Sequence, residues 1–143
     1  MLQYQARFEP AAEGGYVVTF PDFDWGVTQG DTKEQAREMA ADALGMIIGH
    51  YIREGKPLPV PRKRRGWQYH TVRLPALLEA KAALYTAFRA SGIRKVELAR
   101  RLGIPRMNVD RLFNPKRRSH FELIEAAFHA IGKELEITVR DAA

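Results

Sequence analysis

The chain has 143 residues, 45% of them hydrophobic, and a formal net charge of +6; it can build one medium domain or two small ones, and the composition excludes a disordered chain. No apolar run approaches the about 20 residues that a bilayer requires, and the opening residues lack a signal-peptide core, so neither membrane insertion nor export is expected. With no cysteine there is no disulfide, thiolate metal ligand or thiol nucleophile, which suits a reducing bacterial or archaeal cytoplasm.

Leu2, Tyr4, Ala6 and Phe8 alternate with Gln3, Gln5, Arg7 and Glu9, the pattern of a half-buried strand. Residues 10–15 carry turn chemistry and Tyr16–Phe20 is rich in aromatic and β-branched residues, so a hairpin is expected. After the turn Pro21–Trp25, Gly26–Gly30 completes a three-stranded meander. Asp31 or Thr32 can cap the next helix, because Glu34 and Gln35 stand three residues on, as a capping box requires. Ala36, Met39, Ala40, Ala43, Leu44, Ile47 and Tyr51 recur at helical steps and form the stripe expected to pack on the sheet. Gly55 and Pro57 end that helix.

Leu58–Pro61 and Arg62–Arg65 form an extended, then basic, connection whose charges are expected to stay in solvent or approach DNA. Trp67–Arg73 has strand composition and is expected to return to the first sheet. Pro75 suits the start of a new helix, which divides the chain into residues 1–74 and 75–143.

A helix over Pro75–Ala90, closed by Ser91 and Gly92, precedes the stretch Lys95–Leu112, which looks like a helix-turn-helix. Ala99 is small where two helices cross, Gly103 follows where the turn favours positive φ, and Ile104, Val109 and Leu112 plug the core. In that motif the second helix offers its N-terminal residues to base edges, here Arg106, Met107, Asn108, Asp110 and Arg111. Arginine suits guanine and asparagine suits adenine. Arg94, Lys95, Lys116, Arg117 and Arg118 flank the motif and are assigned to phosphate. Pro105 replaces the usual capping Ser or Thr, which the first helical position tolerates.

Ser119 is expected to cap a last helix, His120–Ile131, that buries Phe121, Leu123, Ile124, Ala127, Phe128 and Ile131 before Gly132 ends it. Leu135–Val139 reads as a lone strand with an unpaired edge. Pairing through Leu135, Ile137 and Val139 with a second copy predicts a two-fold homodimer or higher oligomer, and hence a palindromic operator.

Charge is segregated along the chain. Residues 1–61 hold 5 Lys/Arg against 9 Asp/Glu, and residues 62–143 hold 18 against 8, giving nets of −4 and +10. Like charge across an interface opposes association, so the first part is expected to meet a basic partner and the second a polyanion.

The run Gly15–Val18, Phe20–Asp22, Thr28–Thr32, with Glu34, Ala36, Ala40, Ala43 and Leu44 on the helix, resembles the HicB antitoxin family. Arg111-Leu112, Asn114-Pro115, Lys116–His120 and Ala126–Gly132 are similar to its helix-turn-helix branch. The resemblance implies an α+β protein, with a partial RNase H-like βββαβ module followed by an all-α helix-turn-helix domain and a C-terminal dimerisation strand. It implies binding and neutralisation of a HicA-type toxin, a small mRNA interferase with a catalytic histidine, and repression of the shared operon. The turn residues Phe20, Pro21, Asp22, Phe23, Asp24 and Trp25 are the candidates for toxin contact. Many family members carry Pro-Gly-Cys where this chain has Asp24-Trp25-Gly26, which changes the shape of that turn.

Two other readings use the same residues. A nuclease would gather Glu9, Asp22, Asp24 and Asp31 around metal ions, but Asp31 is better explained as a cap, and Asp22 and Asp24 lie on a turn without a partner on the interior face of the first strand; no enzyme activity is expected. His50, His70, His120 and His129 show no ligand spacing, so neither metal nor cofactor is expected. A stand-alone transcription regulator with a sensing N-terminal module would keep the DNA contacts and dispense with the toxin.

Overall fold

The computed structural model describes residues 2–142. Strands β1 (Gln5–Pro10) and β2 (Tyr16–Thr19) form the expected hairpin, with Arg7 opposite Thr19 and Pro10 opposite Tyr16. The Ala11 N–H donates to Gly15 O at 3.0 Å across the reversal, where Gly14 and Gly15 both take positive φ. β3 (Val27–Gly30) pairs with β2, and β4 (Tyr69–Thr71) pairs with the other side of β1. All neighbours are antiparallel in the order β3-β2-β1-β4.

Alternation along β1 and the residue before it buries Tyr4, Ala6 and Phe8, and Val18 of β2 joins them. Helix α1 (Lys33–Arg53) covers this face with Ala36, Ala40, Leu44, Ile47, Ile48 and Tyr51. Each large side chain taken fully out of water contributes roughly 1.5–3 kcal/mol. Thr32 is the cap: its Oγ1 accepts from the Gln35 N–H at 3.1 Å, while Gln35 Oε1 accepts from the Asp31 N–H at 2.6 Å. Asp31 therefore contributes its backbone rather than its carboxylate. At Gly30 a Cβ would collide with the Ala36 backbone, so glycine lets β3 lie against the first turn of α1.

Helices α2 (Ala76–Ser91), α3 (Lys95–Leu102), α4 (Arg106–Phe113) and α5 (Phe121–Ala130) follow. Leu84, Phe88, Leu98, Val109, Leu112, Phe113, Ile124 and Phe128 are buried among them, with the Phe88 and Phe113 rings 4.9 Å apart. Gly103 ends α3 at φ 66°, and the Ile104 N–H returns to Ala99 O at 3.1 Å, which tightens the turn into α4. Helix α2 is fastened to the end of α1: Tyr85 Oη donates to Lys56 O at 2.8 Å and Arg89 Nη1 to Gly55 O at 2.6 Å. On α1 itself, Gly45 lies beside Leu78 and Gly49 beside Pro115.

Several expectations are corrected. Met39 is exposed and Ile48 is buried instead, because at roughly 100° per residue Met39 lies far from the centre of the buried arc. Trp67 stays outside the three-residue β4 and is exposed. Ser119 caps nothing: α5 starts at Phe121 after His120, with no side-chain cap, and Phe121 is partly exposed. The strand expected over Leu135–Val139 is absent, since residues 133–142 carry no regular secondary structure and no strand pairs with them in the described chain. A strand is defined by its neighbour, and this segment has none within one chain.

Candidate functional site

Two surfaces gather the side chains of interest, one on α3 and α4 and one on the turn after β2. Val109, Leu112 and Phe113 anchor α4 in the core and leave its other face outward. That face exposes Arg106, Met107 and Arg111, with Asn108 half-buried beside them and Met107 at 65% exposure. Asp110 is also exposed, but its Oδ1 accepts from Lys95 Nζ at 2.6 Å, so the two neutralise each other and tie the start of α3 to α4. Arg94 stands just ahead of α3, exposed, with no side-chain cap bond.

Glu97 holds the other cations of α3. It accepts from Arg100 at 2.9 and 2.6 Å and from Arg101 at 3.0 Å, and Arg101 reaches on to Ala130 O at 2.7 Å. The Arg100 and then the Arg101 hydrogen bonds hold its carboxyl down at about 2. The unpaired cations of this surface are thus Arg94, Arg106, Arg111, Lys116, Arg117 and Arg118, among the described residues. The last three occupy a turn shaped by Asn114, whose Oδ1 accepts from the Lys116 N–H at 3.0 Å and whose carbonyl accepts from the Arg117 N–H at 3.1 Å. Beneath that turn lies Lys81, fully buried, which nothing in the sequence pattern singled out.

The turn after β2 divides into core and surface. Phe20 and Phe23 are buried, the Phe23 ring 4.8 Å from Tyr4 and 5.3 Å from Tyr51. The Asp22 side chain is 2% exposed and finds its partners on the connection after α1: Oδ1 accepts from Arg64 Nη1 at 2.8 Å and Oδ2 accepts from the Arg62 N–H at 3.3 Å. The Arg64 N–H donates to Gln5 Oε1 at 2.6 Å, and Tyr4 Oη donates to Pro59 O at 2.7 Å. The basic connection is therefore laced to the end of the sheet, and Arg64 is drawn out of solvent by the buried carboxylate. Burial, and then the charge of Asp22, push the Tyr4 hydroxyl well above its usual range.

Pro21, Asp24 and Trp25 remain exposed, with Trp25 at 49% and its ring edge-on to His50 at 5.3 Å. Gly26 then takes φ 117° where a Cβ would strike Ile47, so the loop presses on α1 and holds Trp25 outward. Of the carboxylates a nuclease would use, Glu9 pairs with Arg7 and Asp22 with Arg64. No group of three or more His, Asp or Glu lies close enough to hold a metal among the described residues. No helix there is long and apolar enough to cross a membrane.

At the end of the chain Leu135 is half-buried against the core, while Ile137 and Val139 are exposed, Val139 at 90%. The expected dimerisation residues thus fall into one anchored side chain and two facing solvent.

Residues 3–83 match the family model described as HicB_like antitoxin of bacterial toxin-antitoxin system. The chain is 35% identical over 138 residues to Antitoxin HicB of Escherichia coli (strain K12), covering 96% of this chain and 99% of that one. It is 34% identical to Antitoxin HicB 1 of Photorhabdus laumondii subsp. laumondii, covering 96% and 87%. A solved structure described as Toxin-Antitoxin complex from Streptococcus pneumoniae is similar at 31% identity and a TM-score of 0.40, over 43% of this chain and 44% of that one.

Proposed function

The chain belongs to the HicB-like antitoxin family of bacterial toxin-antitoxin systems, and on that premise we propose that it neutralises a HicA-type mRNA interferase and represses its own operon. The observation that carries the DNA half is the outward face of α4: Arg106, Met107 and Arg111 exposed, with the cationic turn Lys116–Arg118 alongside. Helices α3 and α4 then act as a helix-turn-helix, α4 entering the major groove while the flanking cations meet phosphate. With Lys95 and Asp110 engaged to each other, base reading rests on Arg106, Met107, Asn108 and Arg111.

The sheet and α1 form the toxin-binding module, a partial RNase H-like unit over residues 1–74, followed by the DNA-binding unit over residues 75–143. Phe20, Asp22 and Phe23 support the turn from inside; Pro21, Asp24 and Trp25 make the contact. A half-exposed tryptophan on a braced loop is the kind of anchor on which binding energy concentrates. Pairing of residues 135–139 between two copies joins two DNA-binding units to read a palindrome.

The test is co-expression with the product of a short neighbouring reading frame that encodes a basic protein. The antitoxin relieves the growth arrest, co-purifies with that product and retards DNA from upstream of its own reading frame. Failure to suppress toxicity or to co-purify would sink the toxin half; failure to retard that DNA would sink the operator half.

A further inference from the structure

Lys81 lies in α2 with 0% of its surface exposed, yet it carries a charge into the interior. Its Nζ donates to Arg111 O at 3.1 Å, Asn114 O at 2.9 Å and Arg117 O at 2.6 Å. An ammonium has three donors, and all three are used. No carboxylate is among these partners.

The three acceptors come from one place. Arg111 and Asn114 mark the end of α4, where the last carbonyls have no partner within the helix ladder, each here takes one N–H from the turn, and the macrodipole is negative. Arg117 belongs to the turn that follows. Asn114 also braces this turn itself, its Oδ1 accepting from the Lys116 N–H and its carbonyl, shared with Lys81, from the Arg117 N–H. The chain from 111 to 117 therefore wraps the ammonium with carbonyls inward, and Lys116, Arg117 and Arg118 are left exposed.

A buried cation without a counter-charge is costly. Burial pushes the Lys81 amine down to about 8, so it remains largely charged at neutral pH. Methionine has similar length and would fill the space without that cost, but Arg117 O would lose its bond, Arg111 O and Asn114 O would each keep only a backbone N–H donor, and the turn would lack its centre.

We infer that Lys81 is a positioning residue for DNA binding: one buried cation fixes the turn that offers three exposed cations to the phosphates of a duplex. This rests on the operator-binding reading above. Each phosphate neutralised adds about 0.9 to the slope of log affinity against log salt, so the turn's contribution is read as a slope, a quantity that a purely structural role would not move in a folded variant.

The experiment measures binding of the full chain to duplex DNA from upstream of its own reading frame, across roughly 50–200 mM salt. Lys81→Met is expected to lower the slope by about 2–3 while leaving toxin co-purification intact. The triple variant Lys116→Gln, Arg117→Gln, Arg118→Gln should lose the same amount, and adding Lys81→Met to it should take away nothing more. Because the chain has no cysteine, Lys81→Cys can be alkylated with 2-bromoethylamine in denaturant and refolded; the restored amine should recover the slope. If Lys81→Met does not fold, Lys81→Gln takes its place. A folded variant with the full slope, or a further fall on the triple background, overturns the inference while operator binding stands. If the unaltered protein binds no such DNA, the operator reading fails and takes this inference with it.

Discussion

Arg64 Nη1 meets Asp22 Oδ1 at 2.8 Å across 42 residues of sequence, and the Asp22 side chain is all but removed from water. This pair turns the acidic loop after β2 and the basic connection after α1 into one surface. The segregation of charge along the chain thus overstates its segregation in space, since the acidic first part holds part of the basic connection against itself.

Because the carboxylate is buried and its partner only partly so, removing either has an asymmetric cost. Arg64→Ala leaves Asp22 buried with one weak backbone donor and should destabilise the fold by about 1–3 kcal/mol. Arg64→Ala combined with Asp22→Ala should recover part of that loss. Urea unfolding of the three proteins measures it, and a single variant as stable as the parent would show that the pair contributes nothing.

The two surfaces should fail independently. Trp25→Ala with Asp24→Lys should weaken toxin binding by on the order of 30-fold or more, as truncation of a tryptophan anchor does, and leave operator affinity unchanged. Arg106→Ala with Arg111→Ala should weaken operator binding by on the order of 100-fold, since each base-reading arginine contributes about 1–3 kcal/mol, and leave toxin co-purification unchanged. Calorimetry with the toxin and gel retardation with the operator read both; either variant losing both functions would contradict the division.

Glu97 gives the α3 surface a pH signature. Its folded pKa, about 2, lies below the ordinary 4.5, so the unfolded chain takes up the proton first as pH falls. Its stabilising effect is then complete above about 4.5 and disappears as pH drops toward 2. The difference in melting temperature between the parent and Glu97→Gln should be small, as befits an exposed network, constant near neutrality and closing below pH 4.5. A difference unchanged from pH 7 to pH 3 would rule this out.

Ile137→Asp with Val139→Asp places charge in the proposed inter-chain strand pair. The protein should shift from dimer to monomer by light scattering, and operator affinity should fall because two half-sites are no longer engaged together. A parent that is monomeric at all concentrations would refute the strand pairing itself.

What could be read from residues alone was local. The alternation of β1, the Thr32–Gln35 cap and the Ala99–Gly103 turn are each encoded within a few positions, and each takes the expected form. The tie between Asp22 and Arg64 is not, because nothing in either segment specifies a partner 42 residues away. Lys81 follows the same logic: among Glu79, Ala80 and Ala82 it reads as an ordinary solvated helix residue until the end of α4 is brought over it. Two of the six toxin-contact candidates, Phe20 and Phe23, are core residues for a related reason, since aromatic turn residues look alike whether they face in or out.

The bonds from Tyr85 and Arg89 to the carbonyls of Lys56 and Gly55, together with the pairing of β4 on β1, link the parts on either side of residues 57–68 without using the chain between them. A protease that nicks the exposed Arg62–Lys63 bond is then expected to release no piece, which gel filtration of the cut protein without denaturant checks. The cut chain would stay joined through β4, which belongs to the second fragment and completes the sheet of the first, so that two polypeptides share what one began.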